Sequence, residues 1–78
     1  MRKIYVDMTA EFDESGNVYP RRFRFEDGNM YEIDKVTDIR RRASMKAGGL
    51  GIRYTCRIKN AVRYIYFDEN RWFIESEK

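Results

Sequence analysis

Eight arginine and lysine residues lie between residues 39 and 67, a stretch that contains no aspartate or glutamate. The whole chain has a net charge of +3, because acidic flanks offset this basic block. Such segregated charge favours an anionic partner, either the phosphates of a nucleic acid or an acidic protein surface. The cationic residues of the block are Arg40, Arg41, Arg42, Lys46, Arg53, Arg57, Lys59 and Arg63.

Three aromatic residues lie at spacings that fit one face of a sheet beside these cations. Tyr64 and Tyr66 are two residues apart, and a turn at Glu69-Asn70 sets Phe73 opposite Tyr66. Bases stack on such rings while arginines hold phosphates, and each stack contributes about 1–3 kcal/mol. We therefore predict a surface that binds single-stranded DNA or RNA. Its predicted residues are Arg40, Arg41, Arg42, Lys46, Arg53, Arg57, Lys59, Tyr64, Tyr66 and Phe73.

The same residues allow two other interpretations. Exposed aromatics beside arginine are typical of protein interfaces, so the patch could bind an acidic protein surface or form a homodimer. Outward tyrosines are also favoured in strands, where Arg57 could simply lie over Tyr64. Both interpretations stay open beside the nucleic-acid hypothesis.

Residues suited to catalysis are scarce. The chain has no histidine, which removes the commonest general base and metal ligand. Cys56 alternates with apolar residues, which predicts a buried structural thiol rather than a nucleophile. The glycine-rich run from Lys46 to Gly51 lacks the Gly-Lys-Ser/Thr ending of a phosphate-binding loop. We predict that the chain is not an enzyme and holds no metal and no cofactor.

Length and cysteine content limit the setting. A chain of 78 residues has room for one domain, residues 1–78, with a thin core. A lone cysteine favours a reducing compartment, and Asp7 interrupts any apolar stretch near the start. No apolar run approaches the roughly 20 residues of a membrane helix. We therefore expect a cytoplasmic protein that does not enter a membrane.

Alternation of apolar and polar residues places the candidate site on strands. Period two runs from Lys3 to Phe12 and again from Gly51 to Lys59, which indicates half-buried strands rather than helices. In the second run the inward residues are Ile52, Tyr54, Cys56 and Ile58, and the outward residues are Arg53, Thr55, Arg57 and Lys59.

A hairpin signal at Asp27-Gly28-Asn29 bears on a second basic cluster, Arg22 and Arg24. A three-residue loop predicts Arg24 opposite Glu32, and Arg22 opposite the next outward carboxylate along the strand, that of Asp34. The cluster would then be neutralised within the hairpin. A later turn at Asn60-Ala61 predicts Cys56 opposite Ile65.

Together these strands predict an all-β fold. We expect an antiparallel meander of about six short strands that forms a curled sheet or a small open barrel. A break in alternation between Ile33 and Val36 predicts a bulge where the sheet bends. Residues 37–50 are expected to form either one short helix or a basic loop.

Three runs of residues also carry a resemblance. Asp27-Gly28-x-x-Tyr31-x-Ile33-Asp34-x-Val36-x-Asp38, Gly51-x-Arg53-Tyr54-x-Cys56 and Arg71-Trp72-Phe73-x-Glu75 resemble a pattern found in short, uncharacterised bacterial all-β proteins. The resemblance covers residues 20–76 and implies a small barrel-like fold. Because such families are of unknown function, it implies no activity and assigns no functional residue.

Overall fold

A computed structural model describes residues 2–43 and 50–76, apart from the side chains of residues 42, 43 and 50. The described residues form seven strands and no helix. None of this described part could therefore cross a membrane as a helix. The strands are β1 (Arg2–Phe12), β2 (Val18–Arg24), β3 (Met30–Glu32), β4 (Lys35–Ala43), β5 (Leu50–Ile58), β6 (Ala61–Asp68) and β7 (Arg71–Ser76).

All neighbouring strands are antiparallel, and they form one sheet in the order β3-β2-β1-β7-β6-β5-β4. The first and last strands therefore pair in the middle of the sheet, with Tyr5 opposite Phe73. The two edge strands, β3 and β4, are consecutive in the chain. The sheet must curl to bring them together, and the result confirms the predicted all-β curled sheet.

The bend lies at Ile33 and Asp34, between β3 and β4. The Ile33 N–H donates to the Arg21 carbonyl of β2, and the Asp34 N–H donates to the Arg57 carbonyl of β5, both at 2.9 Å. These two bonds point to opposite sides of the curl, so a single extended run from residue 30 to residue 43 is divided into two strands. The division explains seven strands where about six were predicted. The sheet bends at the predicted place, but the bulge itself lies between Val36 and Asp38 rather than between Ile33 and Val36.

The concave side of the curl, called the inner side below, holds the core. Its fully buried side chains include Tyr54, Cys56 and Ile65, all at most 1% exposed. The Tyr54 hydroxyl donates to the carbonyl of Val18 on β2, so the two arms of the curl are joined by a buried hydrogen bond. The main cluster is Phe23, Ile52, Tyr54, Cys56, Ile58 and Ile65.

Two hairpins turn through two-residue loops whose residues all have positive φ. Glu69 and Asn70 form the predicted loop between β6 and β7, and Phe73 lies opposite Tyr66 as expected. The β5–β6 loop is Lys59-Asn60 rather than the predicted Asn60-Ala61. The prediction for this hairpin is therefore wrong by two residues of register, although each side chain keeps its predicted side of the sheet.

Residues 37–43 belong to strand β4, so the expected helix or loop is wrong for this part of the chain. Pairing with β5 across its whole length supplies the hydrogen bonds that a helix would otherwise make. Residue 50 begins strand β5, and residues 44–49 of that expectation lie outside the described residues.

Candidate nucleic-acid interface

The convex side of the sheet, called the outer side below, carries a continuous row of residues across five strands. Successive cross-strand partners in this row run from β1 to β4. Aromatic rings occupy one end of the row and cations the other. The row is Tyr5, Phe73, Tyr66, Arg53 and Arg40.

At the basic end, cations lie directly opposite cations. Arg40 is the partner of Arg53, and Lys35 is the partner of Arg57. In the described part of the chain no carboxylate lies within 4.0 Å of Lys35, Arg53 or Arg57. Arg40 is paired with Asp38, at 3.0 Å from Nε to Oδ2. Three of the four cations therefore have no ion-pair partner there.

Arg53 has a further unmet requirement. Its Nε atom is shielded from solvent and makes no hydrogen bond within the described residues. A buried donor without an acceptor costs about 1–3 kcal/mol. Its guanidinium lies 5.2 Å from the centre of the Tyr64 ring.

Tyr64 lies between the two pairs of cations. Its partner on β5 is Thr55, which separates Arg53 from Arg57 along the strand. The side chain is 48% exposed, so part of its ring is open to a partner. The predicted combination of an aromatic ring with flanking cations is therefore present on one face.

Phe73 differs from the prediction. The side chain is only 6% exposed, although it lies on the outer side. The Tyr66 ring stacks on it at 5.1 Å and 7°, Tyr5 contacts it edge-on at 5.6 Å, and the Lys3 ammonium lies 4.8 Å from its centre. Pairing of β1 with β7 brings these residues over the ring. Phe73 supports its neighbours and is not itself a stacking surface.

Tyr5 and Arg71 belong to this face but were not predicted. The Arg71 guanidinium lies 3.4 Å from the centre of the Tyr5 ring, and Tyr5 is 43% exposed. The outward position of Tyr5 in an alternating strand was a usable signal. Its place beside Phe73 depends on the pairing of the two ends of the chain, which no local turn predicts.

Two predicted residues lie away from the face. Arg41 is the partner of Ile52 on the inner side, where its Nη2 donates to Asn17 Oδ1 at 3.4 Å. A bulge between Val36 and Asp38 shifts the alternation of β4 and causes this reversal.

Lys59 lies in the β5–β6 turn. Its ammonium is 5.2 Å from the centre of the Tyr31 ring, and its backbone N–H donates to an Asp34 carboxylate oxygen at 3.1 Å. The turn therefore directs this cation toward the other arm of the curl. Of the remaining predicted residues, Arg42 pairs with Gly51 through its backbone, and Lys46 lies outside the described residues.

The second basic cluster is also arranged differently from the prediction. The β2–β3 loop is closed by the bond from the Phe25 N–H to the Asn29 carbonyl, which shifts the register by two residues. Arg22 then lies opposite Glu32, and Arg24 lies opposite Met30. Neither arginine forms an ion pair in the described part of the chain. The predicted neutralisation by Glu32 and Asp34 is therefore wrong.

Buried ionisable groups offer no reactive site. Burial raises the pKa of the Cys56 thiol to about 11, so the thiol stays protonated and a poor nucleophile at neutral pH. Its predicted structural role agrees with its complete burial. In residues 2–43 and 50–76, no three cysteine, aspartate or glutamate side chains converge as a metal site requires.

The outer side thus carries a cluster of cations around one exposed ring, called the basic patch below. Its residues are Lys35, Arg40, Arg53, Arg57 and Tyr64. The resemblance to bacterial small-barrel proteins stays a prediction. No family model matches the chain, and no curated protein or solved structure is significantly similar to it.

Proposed function

We propose that this chain is a non-enzymatic β domain that binds single-stranded nucleic acid on the basic patch. The observation that carries the proposal is the direct opposition of cations, Arg40 to Arg53 and Lys35 to Arg57. Like charges directly opposite each other in a sheet are destabilising. Arg40 is already paired with Asp38, so the repulsion is uncompensated at Lys35 and Arg57, where a phosphate between the two cations would convert it into two attractions.

The spacing of the pairs suits a polymer better than a single anion. Arg53 and Arg57 are four residues apart on one strand, which corresponds to about 13 Å. A backbone of a few nucleotides spans that distance, so both pairs can contact one strand of nucleic acid. The Arg53 guanidinium, which has no ion-pair partner among the described residues, would then gain one.

Tyr64 supports the choice of a single strand over a duplex. Its exposed ring lies between the cation pairs, where an unpaired base can stack while the phosphates on either side contact arginine. Stacked bases inside a duplex cannot reach such a ring. Tyr66 and Phe73 hold the neighbouring surface in place beneath the strand.

Fluorescence anisotropy with labelled oligothymidylate and oligouridylate tests the proposal. Affinity should fall steeply with salt, because bound cations release counterions from phosphate. Arg53→Gln with Arg57→Gln should weaken binding roughly tenfold and reduce the magnitude of the salt slope by about 1.4, at about 0.7 for each lost contact.

The matched control is Arg22→Gln with Arg24→Gln, which removes the same charge from the outer side of β2. We expect this variant to retain nearly all of the affinity. Equal losses of affinity in the two variants would show that binding depends on net charge alone and not on the basic patch. Absence of salt-sensitive binding in the unmodified chain at low ionic strength would refute the proposal.

A protein partner is the second candidate. The specific observation that favours it is that Tyr5 and Tyr64 are both exposed and both covered by an arginine. Tyrosine with arginine is typical of interface hot spots. Sedimentation at increasing concentration distinguishes self-association from a monomer. Under this hypothesis Tyr5→Ala should weaken association as much as Tyr64→Ala, whereas nucleic-acid binding needs only Tyr64.

The proposed setting is the cytoplasm. A buried, protonated thiol is compatible with a reducing compartment, and nucleic acid is present there. Fractionation of the producing cells, followed by crosslinking to nucleic acid, would test the location and the partner together.

A further inference from the structure

A cleft opens on the inner side of the sheet, away from the basic patch. It has a volume of about 350 Å³ and lies between the β2–β3 hairpin and the β5–β6 hairpin. Its walls include Phe23, Phe25 and Tyr31 from the first hairpin, and Ile58 and Ala61 from the second. The volume is within the usual range for small-molecule sites, about 300–1,000 Å³.

Three aromatic rings form one wall of the cleft. The Tyr31 ring stacks on Phe23 at 5.5 Å and 25°, and Phe25 contacts the same ring edge-on at 6.2 Å. Phe23 is only 3% exposed, while Phe25 and Tyr31 are half-buried. Part of the aromatic surface therefore stays open within the cleft, where a flat apolar molecule could contact it.

The opposite wall is aliphatic and unusually small at one position. Ala61, directly opposite Ile58 at the start of β6, leaves space that a larger side chain would fill. The sheet curls without any described helix to cover its concave side. The cleft is thus part of the shape of the sheet and not a defect within a packed core.

Two cations border the cleft. The Lys59 ammonium lies 5.2 Å from the centre of the Tyr31 ring, and Arg63 lies opposite Cys56 on the inner side of β6. The Arg63 side chain is exposed and donates one hydrogen bond, to the Val62 carbonyl at 3.2 Å. Neither cation is within 4.0 Å of a carboxylate in the described part of the chain.

The acidic groups near this wall already have other partners. An Asp34 oxygen accepts the backbone N–H of Lys59 at 3.1 Å. An Asp27 oxygen accepts from Asn29, and the Tyr31 hydroxyl donates to it at 3.5 Å. Neither carboxylate lines the cleft, whereas Lys59 and Arg63 both do, so the charges that face its interior are positive. They favour a negative group on the ligand.

We propose that this cleft binds a small molecule with a flat apolar body and one anionic group, such as an aromatic carboxylate. The body lies against the rings of Phe25 and Tyr31, which Phe23 supports, and the anion lies between Lys59 and Arg63. This site is independent of the basic patch, because its residues face the opposite side of the sheet.

The fluorescent sulfonate 8-anilinonaphthalene-1-sulfonate is a suitable probe, with the uncharged N-phenyl-1-naphthylamine as its neutral counterpart. We expect saturable binding of one sulfonate per folded chain and competition by 2-naphthoate. The neutral probe should bind more weakly. In NMR spectra the shifted methyl groups should be those of Ile58, Ala61 and Ile74. Non-saturable binding, or shifts spread over the whole chain, would overturn the site.

Variants test the two parts of the site separately. Lys59→Gln and Arg63→Gln should each weaken sulfonate binding about three- to tenfold and leave the neutral probe unaffected. Arg24→Gln removes the same charge from the outer side of β2 and should have no effect. Equal losses in all three would show that net charge alone attracts the probe, and would overturn the assignment of the cations.

Ala61→Phe should fill the cleft and abolish binding of both probes. Binding of oligothymidylate measures the opposite side of the sheet and should be unchanged in a folded variant. If Ala61→Phe does not fold, Ala61→Val fills part of the same cleft and should weaken binding of both probes. Sulfonate affinity that is unchanged in the folded filling variant, or in its replacement, would overturn the site.

Discussion

Strand β5 separates two regions that satisfy their polar groups in opposite ways. On its inner side, the Tyr54 hydroxyl is hydrogen-bonded to the Val18 carbonyl, and Cys56 is buried as a neutral thiol. On its outer side, Arg53 and Arg57 lie opposite further cations, and Arg53 Nε has no acceptor among the described residues. The inner side holds the fold together. The outer side retains charges that lower stability, which is expected where a surface serves binding.

The largest test of this difference is Ile65→Ala. Ile65 is fully buried, so removing its side chain should lower the free energy of unfolding by about 3–4 kcal/mol. Thr55→Ala, on the outer side of β5, should change it by less than about 0.5 kcal/mol. Urea unfolding followed by Trp72 fluorescence measures both. If Ile65→Ala leaves too little folded protein, Ile65→Val replaces it and should lower the free energy of unfolding by about 1 kcal/mol. Equal losses of stability from the inner and outer substitutions would show that the two sides do not differ in their contribution to the fold.

The second-largest expected effect is a loss of stability at alkaline pH, caused by ionisable groups buried on the inner side. The pKa of Cys56 is raised by burial to about 11, so the folded chain retains a proton that the unfolded chain has already lost above pH 9. Stability should therefore be constant below pH 8 and decline through pH 9 to 11, by about 2 kcal/mol at the upper end. Burial also raises the pKa of Tyr54, which adds to the decline at its upper end.

Cys56→Ala separates the two contributions to that decline. Stability measured by urea unfolding at each pH should fall less in the variant than in the unmodified chain. The smaller decline that remains in the variant should begin above pH 10, where tyrosine ionises. An identical pH profile in both proteins would contradict the assignment to the thiol.

Tyr54→Phe should have a smaller effect, about 1–2 kcal/mol. The change keeps the ring but leaves the Val18 carbonyl without its buried donor. Chemical denaturation at neutral pH gives the loss directly. Tyr64→Phe is the matched control, because that hydroxyl belongs to an exposed ring on the outer side. A loss in the control as large as in Tyr54→Phe would contradict the role of the buried bond.

The smallest predicted effect has the opposite sign. Arg57→Gln removes the repulsion with Lys35 and should raise stability by about 0.2–1 kcal/mol at low salt. The gain should shrink as salt is added, since salt screens the repulsion in the unmodified chain. Arg24→Gln should instead lower stability slightly, because Arg24 lies opposite Asp7. Equal signs for the two variants would show that the basic patch is not under electrostatic strain.

The side of the sheet on which residues lie was predictable, whereas their partners were not. Alternation with period two places Tyr54 inward and Arg53 outward whatever the pairing. The register depends on the turn, and Lys59-Asn60 was missed because lysine seldom adopts a φ of 50°. A register shift of two residues leaves every side chain on the same side of the sheet, so the candidate face was predicted correctly although the register was not. In the β2–β3 hairpin, too, the register differs from the predicted one by two residues, so each side chain keeps its predicted side of the sheet.

The remaining differences arise from contacts between distant parts of the chain. Phe73 is buried because Tyr5 and Lys3 come from the other end of the sequence. Arg41 faces inward because of a bulge between Val36 and Asp38, which the composition of the strand does not reveal. Local periodicity carries no information about such contacts, so it located a basic patch without defining its members.

Pairing between β1 and β7 limits when the sheet can finish folding during synthesis. Arg2 lies opposite Ser76, so the β1–β7 ladder joins residues that are almost a whole chain apart. Closure of so long a loop is slow, because its entropic cost precedes the contacts that compensate for it. On the ribosome, the edges of β1 and β6 that pair with β7 must therefore remain without partners until β7 has been translated.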